Sequence, residues 1–176
     1  KLTVSEGTDG SYFGNCVAIS GDANYLAIQS TPASGAVYIF TRSGTEWTQQ
    51  FRITAPNVNA KDSFGYPLLL SWDGSIVVVG SFLDDVSFVD QGSVYIFGRS
   101  DATWSQHAQL TASDGATNDA FGCALAMSTD ATMLLVGAAY HDGAFADQGS
   151  SYFFVKSGTQ WLESAKIVPD GSGGPR

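Results

Sequence analysis

Two cysteines, two histidines, two methionines and five prolines are all that this 176-residue chain contains of those types, and only eight lysines and arginines oppose seventeen aspartates and glutamates. Each scarcity excludes something. A net charge of −9 argues against nucleic acid, whose binders need a basic footprint. Two histidines, His107 and His141, with no paired-cysteine spacing, leave too few ligands for a zinc site. Cys16 stands three residues after a Phe and Cys123 two after its own, so on strands they face opposite sides and form no disulfide framework. No apolar run approaches the roughly 20 residues of a membrane-spanning helix, so no membrane insertion is expected. There is no G-x-S-x-G elbow, no H-E-x-x-H and no phosphate-cradling glycine loop. No Asn-x-Ser/Thr sequon occurs. No segment sustains helical periodicity for three turns. The chain opens at Lys1 with neither Met nor a signal-like stretch, which reads as a mature or excised segment.

What the chain has is repetition. Tyr38-Ile39-Phe40, Tyr95-Ile96-Phe97 and Tyr152-Phe153-Phe154 recur every 57 residues, each followed nine residues later by Trp47, Trp104 or Trp161. Phe64-Gly65 and Phe121-Gly122 stand 17 residues after a Trp, and Phe13-Gly14 starts the series. A period of this length points to propeller blades or arrays. In the middle repeat, Tyr66 to Ser71 and Ser75 to Gly80 are apolar runs, Ser93 to Phe97 is mostly so, and Trp104 to Thr111 alternates. Trp104, Ala108 and Leu110 are assigned to one face of that last strand, with Ser105, His107 and Gln109 on the other. The gradient predicts a four-stranded meander with its first strand innermost and its fourth at the rim. The fold class expected is all-β: three four-stranded antiparallel β-propeller-type blades, not a closed seven-bladed ring alone. They would form one array over residues 1–176, with blades at about 13–55, 64–112 and 121–168. Residues 1–4 would be an extra rim strand and residues 169–176 a Gly/Pro tail. The first repeat is six residues shorter than the others, a difference placed in the loop from Ser30 to Ser34.

The segments DGSYFGNCVAIS at 9–20 and SDGATNDAFGCALAMS at 113–128 resemble the start of FG-GAP repeats, the units of integrin-alpha β-propellers and of many secreted microbial proteins. VVVGSFLDDVSFVDQGSVYIFGRS and LLVGAAYHDGAFADQGSSYFFVKSG resemble their centres, with Gly80 and Gly137-Ala138-Ala139 at the "GAP" position. Trp47-Thr48-Gln49 and Trp104-Ser105-Gln106 fit the fourth strand. The resemblance covers essentially the whole chain. It implies an extracellular or cell-surface propeller used for binding, adhesion or scaffolding rather than catalysis. Such propellers have about seven blades, and several blades carry a DxDxDG calcium loop. The equivalent hairpins here, around Asp22, Asp73 and Asp130, each hold one carboxylate, so that site should be lost.

In a meander the loops alternate ends. The loops joining strands two to three and blade to blade collect Glu6, Asp9, Asp62, Asp84, Asp85, Asp90, Asp114, Asp119, Asp142, Asp147 and Asp170, which are 11 of the 17 acids, against Lys61. The opposite end carries Arg42, Arg99 and Lys156 at equivalent positions. An acidic rim is expected, with Asp85, Asp90, Asp142 and Asp147 as candidate ligands for calcium, the one candidate cofactor. Asp84, Asp85, Phe88, Asp90, His141, Asp142, Phe145 and Asp147 form the candidate interaction surface for a cationic protein or a glycan. The competing reading is that these Asp residues cap turns, and for Asp114 and Asp119 capping is the reading adopted. A glycosidase-type carboxylate pair is not singled out by any spacing.

Three blades do not close a ring. Apolar blade faces at the two ends would then need covering, by a longer propeller, by neighbouring copies in a ring or head-to-tail filament, or by some compact closure. Lys1 to Thr3 could add a rim strand to a neighbour. The expectation is a structural or adhesive module that associates with itself, with a calcium-dependent fragment of a larger receptor-like propeller as the rival.

Overall fold

The computed structural model describes residues 2, 4, 11–30, 35–55 and 62–170. Lys1 and Thr3 of the expected rim strand, positions 31–34 of the short loop, Glu6, Asp9, Lys61 and positions 171–176 lie outside them. The described residues form twelve strands and no helix. Blade 1 is β1 (Val17–Ile19), β2 (Tyr25–Ser30), β3 (Ala36–Ser43) and β4 (Glu46–Ile53). Blade 2 is β5 (Leu68–Leu70), β6 (Ile76–Ser81), β7 (Ser93–Ser100) and β8 (Thr103–Leu110). Blade 3 is β9 (Phe121–Met127), β10 (Met133–Ala138), β11 (Ser150–Ser157) and β12 (Gln160–Ile167). Each blade is an antiparallel meander in chain order, and the three sheets do not join edge to edge. First strands pack against first strands and fourth against fourth, as successive sectors of a propeller do.

The repeated triplet explains the packing. In β7, Tyr95 and Phe97 point to one face and Val94 and Ile96 to the other. The Phe of the Phe-Gly pair enters its own blade between the two aromatics. Phe64 meets Tyr95 at 5.6 Å and Phe97 at 6.4 Å, edge to face, and Phe121 meets Tyr152 at 5.5 Å and Phe154 at 6.0 Å. This aromatic face is pressed against the aliphatic face of the preceding blade. Val37, Ile39 and Ile53 cover Phe64, Tyr95 and Phe97, while Val94, Ile96 and Leu110 cover Phe121, Tyr152 and Phe154. The core therefore lies between blades rather than within them.

Burial peaks in the two middle strands, with every residue of β6 and six of the eight in β7 buried. Two sequence expectations are corrected. The strand β7 runs on past Phe97, where the apolar run from Ser93 stops, through Gly98-Arg99-Ser100, because a tight hairpin with Asp101 at φ 55° suffices to turn it. Trp104 does not share a face with Ala108 and Leu110. A bulge places Gln106 opposite Phe97 and Ala108 opposite Ile96, leaving His107 as the extra residue. Trp104 thereby swings to the Tyr95 and Phe97 face, while Leu110 stays with Val94. The same bulge recurs in blades 1 and 3, and in blade 2 the His107 ring lies over Gly98, which has no side chain to obstruct it.

At the hairpin end of the blades, a Ser-x-Asp-x-polar turn is repeated three times. Asp22 accepts from Ser20 Oγ and Asn24 N, Asp73 from Ser71 Oγ and Ser75 N, and Asp130 from Ser128 Oγ and Thr132 N. The single carboxylate of each hairpin is a turn brace. Hydrogen bonds from Ser20 and Asn24 hold Asp22 below its ordinary pKa of 3.8, and those from Ser128 and Thr132 do the same for Asp130. At Asp73 burial pushes upward, but the bonds from Ser71 and Ser75 outweigh it. Carboxylates lowered in the folded state stabilise it fully above their ordinary 3.8 and lose that contribution as pH falls through the lower folded values. Thermal melts across pH should therefore show a decline confined to the acid side, and Asp73→Asn should shallow it. Arg99 adds a second tie at this end, lying 4.6 Å from the Tyr25 ring of blade 1.

Candidate functional site at the loop end

The opposite end carries the β6–β7 and β10–β11 loops, and the two share one construction. In blade 2, Asp85 Oδ1 accepts from Asp90 N at 2.7 Å and Gln91 Oε1 from Ser87 N at 3.2 Å. In blade 3, Asp142 Oδ1 accepts from Asp147 N at 2.8 Å and Gln148 Oε1 from Ala144 N at 2.8 Å. Asp90 and Asp147 take left-handed backbone angles of 50° and 52°, a region that Asp tolerates better than most residues. Each expected carboxylate pair is thus brought together through one side chain and one backbone amide, which closes the loop. Among the described residues no three His, Cys, Asp or Glu side chains are arranged around one ion position.

The β6–β7 loop also ties blade 2 to the segment that leads into blade 3. Asn118 N donates to Val89 O, Ala120 N to Asp90 O and Phe121 N to Gln91 O, at 2.8, 3.2 and 2.9 Å. The outer flank of each loop instead faces solvent. Phe88 is 49% exposed and Phe145 62%, at equivalent positions between their Asp pairs.

Behind the loops the rim is less acidic at its surface than the sequence count implied. Asp62, Asp84 and Asp119 are 3%, 4% and 1% exposed. In blade 2, Asp84 accepts from Ser93 Oγ, from Tyr95 Oη at 2.7 Å and from Gln109 Nε2 at 3.4 Å. Burial and then the Asp84 carboxylate push the Tyr95 hydroxyl well above the ordinary tyrosine range. In blade 3 the equivalent of Asp84 is His141. Its Nδ1 lies 2.9 Å from Asp119 Oδ2, and its Nε2 lies 2.6 Å from Lys166 Nζ. Lys166 also donates to Asp114 Oδ2 at 2.6 Å, Tyr152 Oη donates to Asp114 Oδ1 at 2.8 Å, and Ala116 N caps Asp119. This order of bonds fits a neutral imidazole that donates to Asp119 and accepts from the ammonium. For Asp114, burial raises the pKa, but hydrogen bonds from Lys166 and Tyr152 outweigh it and leave the carboxyl below its ordinary value. Burial and Asp114 push Tyr152 upward.

The expected interaction residues therefore fall into two groups. Asp85, Phe88, Asp142, Phe145 and Asp147 are exposed and Asp90 half-buried, whereas Asp84 and His141 are interior anchors. The capping role read for Asp119 holds, with His141 as a further partner, while Asp114 is an ion-pair partner. Sequence reading missed Lys166 and the Tyr152 hydroxyl. Their signal lay in the column Arg52, Gln109, Lys166, each 14 residues after the triplet tyrosine. The exchange of Asp84 for His141 also leaves Ser150 Oγ, the equivalent of Ser93 Oγ, buried without a partner. Cys16 and Cys123 are both free thiols.

Three four-stranded antiparallel blades, packed face against face with aligned inner strands, define a β-propeller-type array that is not closed within the described residues. Its fold is similar to that of solved structures of Sqt1 from Saccharomyces cerevisiae, with a TM-score of 0.61 and 9% identity over 90% of this chain. It is similar also to a putative 6-phosphogluconolactonase from Bacteroides fragilis, with a TM-score of 0.63 and 16% identity over 92% of the chain. A periplasmic gluconolactonase from Pseudomonas aeruginosa matches with a TM-score of 0.53 and 14% identity over 90%. The chain spans 36%, 40% and 43% of those three structures, and at such identities the likeness is one of fold. No curated protein matches it by sequence. The profile of the FG-GAP repeat family matches residues 47–97 and 104–154, and the chain belongs to that family.

Proposed function

We propose that this chain is a non-enzymatic structural or adhesive propeller module, acting outside the cell or at its surface and associating with itself. The observation that carries this reading is the unequal use of equivalent faces. The aliphatic faces of blades 1 and 2 are buried against the next blade, whereas the matching face of blade 3, with Met133 and Ile167, is exposed. Exposed apolar faces of this kind mark association sites. FG-GAP repeats are typical of extracellular and cell-surface proteins, which supports the location. Sedimentation of the 18.5 kDa chain tests the reading: an assembly is expected, and monomers at every concentration would sink the self-association.

The second reading, a receptor-like fragment binding a cationic protein or a glycan through the loop end, is favoured by the exposed Phe88 and Phe145 beside their carboxylates. Calcium separates its calcium-dependent form from the first reading. With Asp85 and Asp142 committed to loop amides, calorimetric titration of calcium is expected to give no heat and no rise in melting temperature. A stoichiometric heat lost on Asp85→Asn and Asp142→Asn would favour the receptor reading.

A further inference from the structure

The junction between blades 2 and 3 is built around the Phe121-Gly122 corner. Phe121 N donates to Gln91 O, and the main chain of Phe121 approaches Gly92 so closely that a Cβ there would stand 2.1 Å from its oxygen. Gly122, at φ 94°, rests on Ser93 O and Val94, and its own oxygen faces Gly80. Leu110 and Ala112 close the same buried cluster. The junction between blades 1 and 2 repeats the arrangement, with Gly35 against Phe64 and Gly65 against Gln29 and Val37.

Advanced by one repeat, the residues that hold the corner become Gly137, Gly149, Ser150, Ser151, Ile167 and Pro169. All six line one open groove of about 500 Å³ on the outward face of blade 3. Gly149 keeps the left-handed backbone of its counterparts, with φ 76° against 75° at Gly35 and 85° at Gly92. The matching corner is at the other end of the array. Phe13-Gly14 has the same geometry, with Gly14 at φ 93°, yet among the described residues no atom beyond its chain neighbours lies within 4 Å of where a Gly14 Cβ would stand. Val17, whose counterpart Leu68 is buried against blade 1, is 62% exposed.

We propose that the groove on blade 3 receives the Phe13-Gly14 corner of a second copy of this chain, in the register that already joins blade 1 to blade 2 and blade 2 to blade 3, with Ile167 and Pro169 displacing Leu2 and Val4 from the Tyr38 and Phe40 face. This deepens the self-association reading and rests on it. The contact is heterologous, one surface meeting a different one, so it has a direction. Two copies joined this way at both ends place six blades around one axis, inside the range of roughly four to eight at which propellers close.

Two positions, the half-buried Ser151 and the exposed Val17, test the two halves. Ser151→Arg puts a guanidinium into the groove, and Val17→Arg puts one beside the corner. Neither touches an existing junction, and unchanged melting curves and circular dichroism establish that both variants fold. In sedimentation, each variant alone should associate about a hundredfold more weakly than the parent or worse, since the charge would be buried without a partner. Mixed together they should form one-to-one pairs, because Ser151→Arg keeps an intact corner and Val17→Arg an intact groove. A parent chain that stays monomeric overturns both this contact and the self-association reading. Assembly that survives Ser151→Arg, or a mixture that fails to pair, overturns this contact alone.

Discussion

Phe121→Ala is expected to lower the unfolding free energy of the unassociated chain by about 3–5 kcal/mol, while Phe13→Ala lowers it by about 1 kcal/mol. The two residues hold the same place in their repeats and meet the same pair of aromatics, so intrinsic propensity and local sequence cannot separate them. Phe121 is fully buried, edge to face with Tyr152 and Phe154, and is covered from the preceding blade by Val94, Ile96 and Leu110. Removing its ring leaves a cavity between two sheets, each already fixed by its own hydrogen-bond ladder, so neither can collapse into it. Phe13 touches Tyr38 and Phe40 at 6.1 and 6.4 Å but is only partly buried. At a chain length of this order, the Phe121 change should lower the melting temperature by about 10 °C. Equal losses at the two positions would show that the Phe-Gly corner stabilises its own blade and not the junction.

Asp119→Ala should cost about 3 kcal/mol, the penalty of breaking one partner out of a buried polar set. Its carboxylate is 2.9 Å from His141 Nδ1 and 2.7 Å from Ala116 N, and both Asp119 and His141 are buried, so the ring would lose this partner where solvent does not reach. Asp119→Asn keeps one acceptor oxygen and should lose about 1 kcal/mol. Urea denaturation gives the free energies. Amide exchange adds a local readout, because Ala116 N should lose protection in the alanine variant while the β6–β7 ladder keeps it. Uniform loss across all three blades would mean that the anchor serves the whole array.

Much of the architecture was legible because each repeat confirms the others. One Tyr-Ile-Phe triplet is a weak sign of a strand, but three at a fixed interval locate the third strand of every blade, and the Asp of each hairpin then falls into a recognisable turn. The bulge was not legible. One inserted residue leaves an alternating string still alternating, so Trp104 read as a neighbour of Leu110 when the structure turns it to the opposite face. The acidic rim was overstated for a related reason. A count of carboxylates says nothing of which are paired, and Asp62, Asp84 and Asp119 point inward. The His141 anchor joins residues 25 apart to Lys166 and 22 apart to Asp119, a closure that only the folded chain brings about.

The family's profile begins at Trp47, in the rim strand of one blade, and stops at Phe97, in the third strand of the next. The repeat that the family defines is therefore not a blade but a unit that straddles a junction. Each matched unit carries the fourth strand of one sheet, the first three of the next and the corner that binds them, so it is stitched across the junction it contains. An array built this way can change its length by whole units without a loose end being created inside it, and a single blade cannot be cut out without tearing two.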